Sequence, residues 1–309
     1  MNGRIVTPCL AALLALASLT MPVRPARAAF GGIGDMFVTG DVSNTVRSYG
    51  GVTGNFIGLF GAPTNSPLAI DFGNTNGRVL VGGFAGGVME FDAATGAWIK
   101  TYGGPAWAWS GIYEASGNVL VAESATDQIL RYDGTTGALL GLFAPIPGAP
   151  ADMRYGPNGH LYVCTYTGGM VWELHPVTGN PISVWPLPPN TRPNDVEFLN
   201  GEILVTAMGT NLVYRFDSTP AHNLLGTFGN PLWGNAHGIE VSPHNGHIYV
   251  VDGVTAQVSE FDPITFALLN GNVLSPAPGD KVVDIAFRPS GGATPATTTS
   301  WGRIKALYR

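Results

Sequence analysis

The stretch Ile248-Tyr249-Val250-Val251-Asp252, followed by Glu260-Phe261-Asp262, holds a pattern that the chain repeats. An apolar residue plus Asp, closing a short β-branched segment, returns as Glu90-Phe91-Asp92, Arg131-Tyr132-Asp133 and Arg215-Phe216-Asp217. A further copy, Glu173-Leu174-His175, has drifted. The steps between the last residues of the copies are 41, 42, 42 and 45. Upstream of each copy lies a second run: Val79-Leu80-Val81, Val119-Leu120-Val121, Leu161-Tyr162-Val163, Ile203-Leu204-Val205 and Ile248-Tyr249-Val250. Further upstream is a third column, Ile70, Ile112, Met153, Val196, Ile239 and Ile285. A fourth segment follows each Asp, at 98–102, 139–143, 182–185 and 224–228. Four short strands per period of about 42 residues predict the blades of a β-propeller.

The two ends complete the count. Residues 36–60 hold three strands, and the missing innermost one returns as residues 282–287. The expectation is an all-β, six-bladed propeller over residues 29–292, with four antiparallel strands per blade and the first blade closed by the C-terminal strand. Such a blade leaves no free edge at the junction. Composition agrees: 43 Gly and 24 Pro in 309 residues exclude a helical bundle. The segments after the aromatic-Asp pairs, such as Asp92-Ala93-Ala94-Thr95-Gly96, read as hairpin turns in which Asp bonds the backbone two residues on.

Residues 1–28 read as a signal peptide. Arg4 precedes an apolar run from Cys9 to Leu19, too short for a bilayer, and Ala26-Arg27-Ala28 fits a cleavage site. The expected mature chain is exported, to periplasm, cell surface or medium, and has no transmembrane segment. Cleavage removes three arginines and no acid, which takes the formal charge from −6 to −9. That balance argues against nucleic acid, whose affinity rests on Lys and Arg neutralising phosphate. Cys164 alone remains after processing, in a column of small or β-branched residues that suits a packed thiol. Residues 293–309 read as a polar linker and a short basic amphipathic tail, a candidate for docking in the envelope.

The innermost strands all begin at one mouth of the channel. The residues before the first column read Ala69, Gly111, Asp152, Asp195, Gly238 and Asp284, preceded by Leu68, Ser110, Ala151, Asn194, His237 and Val283. The second strands end on the same side, at Glu123 and Asp252. Acids converging in a partly dry channel repel one another unless they are protonated or share a cation. Asp152, Asn194, Asp195 and Asp284 are therefore candidate ligands of a divalent ion. Ca²⁺ is favoured for such oxygens, and His237 would admit Zn²⁺. The alternative is structural capping of strand ends by the same acids. Trp107, Trp109 and Trp233, on proline-stiffened loops beside Glu123 and Asp252, are candidate ligand-binding residues, since rigid ring faces suit a protein or glycan partner.

The segment Gly238-Ile239-Glu240-Val241 through Gly246-His247-Ile248-Tyr249-Val250-Val251-Asp252 resembles the NHL-repeat group of six-bladed propellers, which includes protein-binding modules and enzymes. Arg192-Pro193-Asn194-Asp195 is similar to a segment of the senescence-marker/gluconolactonase family, in which the Asn helps to bind metal or substrate. That family has a metal-binding Asn where this chain has His237, and its last metal Asp falls one place before Asp284. Streptogramin-lyase-like propellers, which use a His, a Glu and a divalent ion, also resemble the chain, and His237 would be the catalytic candidate. Three functional expectations follow: a secreted binding module recognising a protein or glycan at the mouth, a divalent-metal-dependent hydrolase or lyase of lactonase type, or an envelope scaffold.

Overall fold

The computed structural model describes residues 31–61, 66–73, 77–104, 107–274 and 281–289. The expected signal peptide at 1–28 and the tail at 293–309 lie outside the described residues. Among those described there is no helix, and so none long and apolar enough to cross a membrane. The strands, in chain order, are β1 (Met36–Gly40), β2 (Thr45–Tyr49), β3 (Phe56–Phe60), β4 (Pro67–Phe72), β5 (Arg78–Gly83) and β6 (Val88–Asp92). Next come β7 (Trp98–Tyr102), β8 (Ala108–Tyr113), β9 (Val119–Glu123), β10 (Gln128–Tyr132), β11 (Leu139–Pro145) and β12 (Pro150–Tyr155). They are followed by β13 (Leu161–Thr165), β14 (Met170–Leu174), β15 (Pro181–Pro186), β16 (Pro193–Leu199), β17 (Glu202–Ala207) and β18 (Leu212–Asp217). The last are β19 (Leu224–Phe228), β20 (Ala236–Val241), β21 (Ile248–Asp252), β22 (Gln257–Phe261), β23 (Leu268–Asn270) and β24 (Val282–Phe287).

All pairings are antiparallel. Four sheets have four strands each, in the orders β24-β1-β2-β3, β12-β13-β14-β15, β16-β17-β18-β19 and β20-β21-β22-β23. The eight strands β4–β11 form one further sheet, where the sequence predicts two separate ones. The link between its halves is a single bridge, Gly83 opposite Ala108. Its cause is local. Gly82 has no side chain, and a Cβ there would overlap the Trp109 carbonyl, so the backbones of β5 and β8 come close enough to bond.

Burial follows the propeller-like layering. The second strands β9, β13 and β21 are buried along their whole length, because packed sheets cover both faces. The outer strands are exposed or partly buried over most of their length, and leave Leu139, Leu142, Leu224 and Trp98 open to solvent. The strands β24, β4, β8, β12, β16 and β20 touch in cyclic order, with β20 returning to β24. The pairing of β1 with β24, from Met36 opposite Phe287 to Gly40 opposite Val282, joins the first and last of the described strands.

The turns between third and fourth strands work as their residues suggest. The Asp92 carboxylate accepts bonds from the Ala94 and Thr95 amides at 3.0 and 2.8 Å, and Gly96 supplies the positive φ of 69°. Asp133 and Asp262 do the same, and bonds from the turn hold all three carboxyls below their usual range. In the drifted copy the His175 ring nitrogen accepts from Val177 and Thr178 at 3.3 Å, replacing the carboxylate. Phe266 takes the glycine position at φ 57°, with the Arg215 guanidinium stacked 3.6 Å from its ring centroid.

Candidate functional site

The first strands begin around the central channel, and each carries a register irregularity at its start. The shifts fall between Pro67 and Ala69, Ala108 and Ser110, Pro150 and Met153, Pro193 and Val196, and Ala236 and Ile239. A bulge re-aims the side chain beside it. Here the result is that Asp152, Asp195 and Asp284 converge, one carboxylate oxygen from each lying within 4.8 Å of the others. Each also ties down backbone. The Ile239 amide of the next strand donates to Asp195 Oδ2 at 2.8 Å, and the Val196 amide donates to Oδ1 at 2.6 Å. The Ile70 amide donates to Asp284 Oδ2 at 2.7 Å, and the Met153 amide to Asp152 Oδ1 at 2.7 Å. Gly238 is required by the cluster, since a Cβ there would overlap the Asp284 carboxylate. Burial drives the Asp195 and Asp284 carboxyls well above the ordinary range, and the nearby Asp152 adds to the rise in both.

Two residues further along the same strands lies a second layer that the sequence analysis does not single out. It contains Asp71, Arg154, Glu197 and Glu240. Arg154 donates to Glu240 at 2.8 Å and pairs with Glu197 at 3.0 Å. Burial pushes Asp71 up to about 8 and Glu197 up to about 7, while Arg154 pulls both down. The available signal was strand alternation. Residues i and i+2 share a face, so a channel-facing Asp195 implies a channel-facing Glu197.

His237 and Asn194 are both buried beside the triad positions, and neither His237 Nδ1 nor Asn194 Oδ1 has a hydrogen-bond partner among the described residues. Burial pushes His237 down to about 4, partly opposed by Asp252, so the ring is neutral at neutral pH. Asp252 is committed to its turn: it accepts from the Gly234, Asn235 and Val254 amides and from the Thr255 hydroxyl. Glu123 closes the β9–β10 turn by accepting from Thr126 Oγ1 at 2.7 Å.

The tryptophans separate into two groups. Trp233 presents no face to a ligand: it is buried against Phe261 and donates to Ser259 at 3.0 Å. Trp107 and Trp109 stack at 5.2 Å and 27°. The run extends outward to Phe84, 5.0 Å from Trp107, and inward to Tyr166, 5.4 Å from Trp109. The Arg192 guanidinium lies 5.6 Å from the Tyr166 ring centroid. Both indole N–H groups of the Trp107–Trp109 pair are buried, and neither has a partner among the described residues. The aromatic run thus comes from residues within or flanking β5, β8 and β13, and the polar side chains come from β12, β16, β20 and β24. Cys164 is buried, and burial raises its thiol far above the usual range, as a packed thiol requires.

This geometry defines a β-propeller, and comparison with solved structures agrees. Streptogramin B lyase superposes with a TM-score of 0.57 at 15% identity, covering 79% of this chain and 84% of that one. Virginiamycin B lyase from Staphylococcus aureus gives 0.56 at 15% identity over 71% and 73%. A chain of the nidogen/laminin complex gives 0.67 at 11% identity over 82% and 98%. At these identities the likeness is one of fold. No model of a protein family matches the sequence, and no curated protein matches it.

Proposed function

We propose that the chain is an exported, six-bladed propeller that acts as a binding module and recognises a protein or glycan partner at its mouth. The count of six draws support from the cyclic contact of β24, β4, β8, β12, β16 and β20, and from the single-bridge link inside the eight-stranded sheet. Export draws support from the composition of residues 1–28, and N-terminal sequencing of the secreted protein should begin at Ala29. The observation that carries the binding reading is the aromatic run Phe84–Trp107–Trp109–Tyr166, capped by Arg192. It offers the exposed Phe84 ring, the partly exposed rings of Trp107 and Tyr166 and a cation to one ligand, on a base formed by the buried Trp109, at little entropic cost. The nidogen/laminin neighbour is consistent with protein recognition by this fold. The test is a glycan array and partner capture from the native envelope by site-directed cross-linking at Phe84. Trp107→Ala and Arg192→Ala should each weaken any hit about tenfold or more. A hit untouched by both substitutions places binding elsewhere.

A second reading rests on the convergence of Asp152, Asp195 and Asp284. The donor set suits a hard divalent ion, with Asn194 Oδ1 as a further oxygen, although four carboxylate oxygens already accept backbone bonds. A bound ion would supply carbonyl polarisation, and neutral His237 would take up a proton at Nδ1, as a metal-dependent hydrolase or lyase requires. Equilibrium dialysis against calcium and zinc decides it. One ion per chain, lost in Asp284→Ala, favours the enzyme; none ends this reading.

A further inference from the structure

The chain contains one polar constellation twice. Asn158, His160, Tyr162 and Glu173 have the same spacing as Asn245, His247, Tyr249 and Glu260. The geometry is repeated as well. Asn158, His160 and Tyr162 direct nitrogen or hydroxyl atoms at Glu173 Oε1 at 2.9, 2.7 and 2.9 Å. Asn245, His247 and Tyr249 do so at Glu260 Oε1 at 3.1, 2.7 and 3.0 Å. Three donors on one oxygen hold each carboxylate in place and direct its second oxygen outward.

The copies differ in what meets that second oxygen. In the first, His222 from the β18–β19 turn of the next sheet places Nε2 3.6 Å from Glu173 Oε2. Its ring stacks on Trp185 at 3.7 Å and 17°. In the second, the corresponding turn is β2–β3, which brings Gly51-Val52-Thr53-Gly54 in place of a ring. The Trp185 position, opposite Val171, is taken by Val273, whose amide donates to the Val258 carbonyl. Both rings have been exchanged for small groups. A cavity of about 410 Å³ stands there, lined by Val52, Thr53, His244, Glu260, Asn270 and Val273 among others. That volume falls in the range of small-ligand sites. Among the described lining residues Glu260 is the one carboxylate, and none is Lys or Arg. His244 Nε2 faces the Gly34 carbonyl at 2.7 Å and so donates there. The cavity lies at the opposite end of the sheets from the Asp152–Asp195–Asp284 mouth.

We propose that this cavity binds a planar nitrogen cation, a guanidinium or imidazolium group, which donates to Glu260 Oε2 and fills the space that the Trp185–His222 pair fills in the other copy. The source is either a free small molecule or an arginine or histidine side chain of a peptide.

Titration of the full mature protein with methylguanidine, imidazole, methylurea and the tripeptide Gly-Arg-Gly, followed by NMR or calorimetry, tests this. Saturable binding of methylguanidine is expected, about tenfold or more tighter than the uncharged methylurea. Glu260→Gln should remove that preference. Val273→Trp, which restores the ring of the other copy, should abolish binding while preserving the folded state. If Glu260→Gln fails to fold, Val273→Trp alone carries the test. Gly-Arg-Gly binding well above methylguanidine identifies a peptide side chain as the source, and equal binding identifies a free cation. Absence of saturable binding, equal affinity for methylurea, or unchanged binding in Val273→Trp overturns the proposal.

Discussion

Asp71 offers the sharpest test of the channel's electrostatics. It sits in the second layer beneath the aspartate triad, and its pKa is pushed from 3.8 up to about 8, by burial first and then by Asp152 and Glu240, against the pull of Arg154. In the unfolded chain it titrates near its ordinary value. Below about pH 4 both states carry the proton, and the folded state loses nothing. As pH rises towards 8 the unfolded state ionises freely while the folded state resists, so stability falls across that window. At 1.36 kcal/mol per pH unit the full gap is on the order of 5 kcal/mol, and solvent screening of this partly exposed carboxyl reduces it to about 2–3 kcal/mol. Asp71→Asn keeps the shape and removes the charge. The expected result is a variant only slightly more stable than the parent at pH 5, with a lead that grows to about 2 kcal/mol at pH 9. Urea unfolding followed by tryptophan fluorescence, in chelator-treated buffer from pH 5 to 9, measures this. Parallel curves, or a variant less stable at pH 9, would mean that Arg154 outweighs burial and that the channel welcomes the charge.

Further predictions concern neighbouring groups. His237, held down to about 4, stays neutral in the fold while the unfolded ring gains a proton below 6.5, so stability should fall by up to about 3 kcal/mol between pH 6.5 and 4. His237→Gln should flatten that limb in the same urea series. Gly238→Ala forces a methyl into the Asp284 carboxylate and should cost about 1–3 kcal/mol, read as a lower denaturation midpoint with unchanged m-value. Trp109→Ala should cost about 3–5 kcal/mol, since the ring is almost fully buried, while Trp107→Ala should cost clearly less; thermal unfolding separates the two.

The repeat made the strands legible because each copy places the same residue type at the same depth. Ile70, Ile112, Met153, Val196, Ile239 and Ile285 all belong to first strands, and β24 joins β1 as the split ends implied. The fusion of β4–β11 into one sheet was not legible, because it depends on how closely Gly82 lets Trp109 approach, and no local pattern encodes that distance. The triad was legible because three aspartates share one column, whereas the fate of Trp233 was not. Its loop starts at the mouth, but Ser259 and Phe261 draw the ring into the sheet. Asp252 and Glu123 had the right address, but their oxygens are engaged by turn amides and hydroxyls, which a column of residue types cannot reveal.

Internal repetition also supplies a rule for weighing these sites. A position that every copy fills with the same chemistry is needed by every copy, and that need is structural. The turn position behaves this way: Asp92, Asp133 and Asp262 each bond their own loop, and where Asp is lost the His175 ring accepts the same two amides. Function should instead appear where one copy abandons what its siblings keep. The channel column departs from Gly or Ala to Asp at 152, 195 and 284, on β12, β16 and β24, while β8 and the residue before it gain Trp107 and Trp109. The Glu260 cavity departs by losing the two rings that its twin retains. Neither departure improves packing: the first brings three carboxyl groups together with oxygens within 4.8 Å, and the second leaves a cavity beside a carboxylate. Since both cost stability, both are where a ligand has something to return, and loss of ligand response in the variants above should go together with a gain in stability of the free protein.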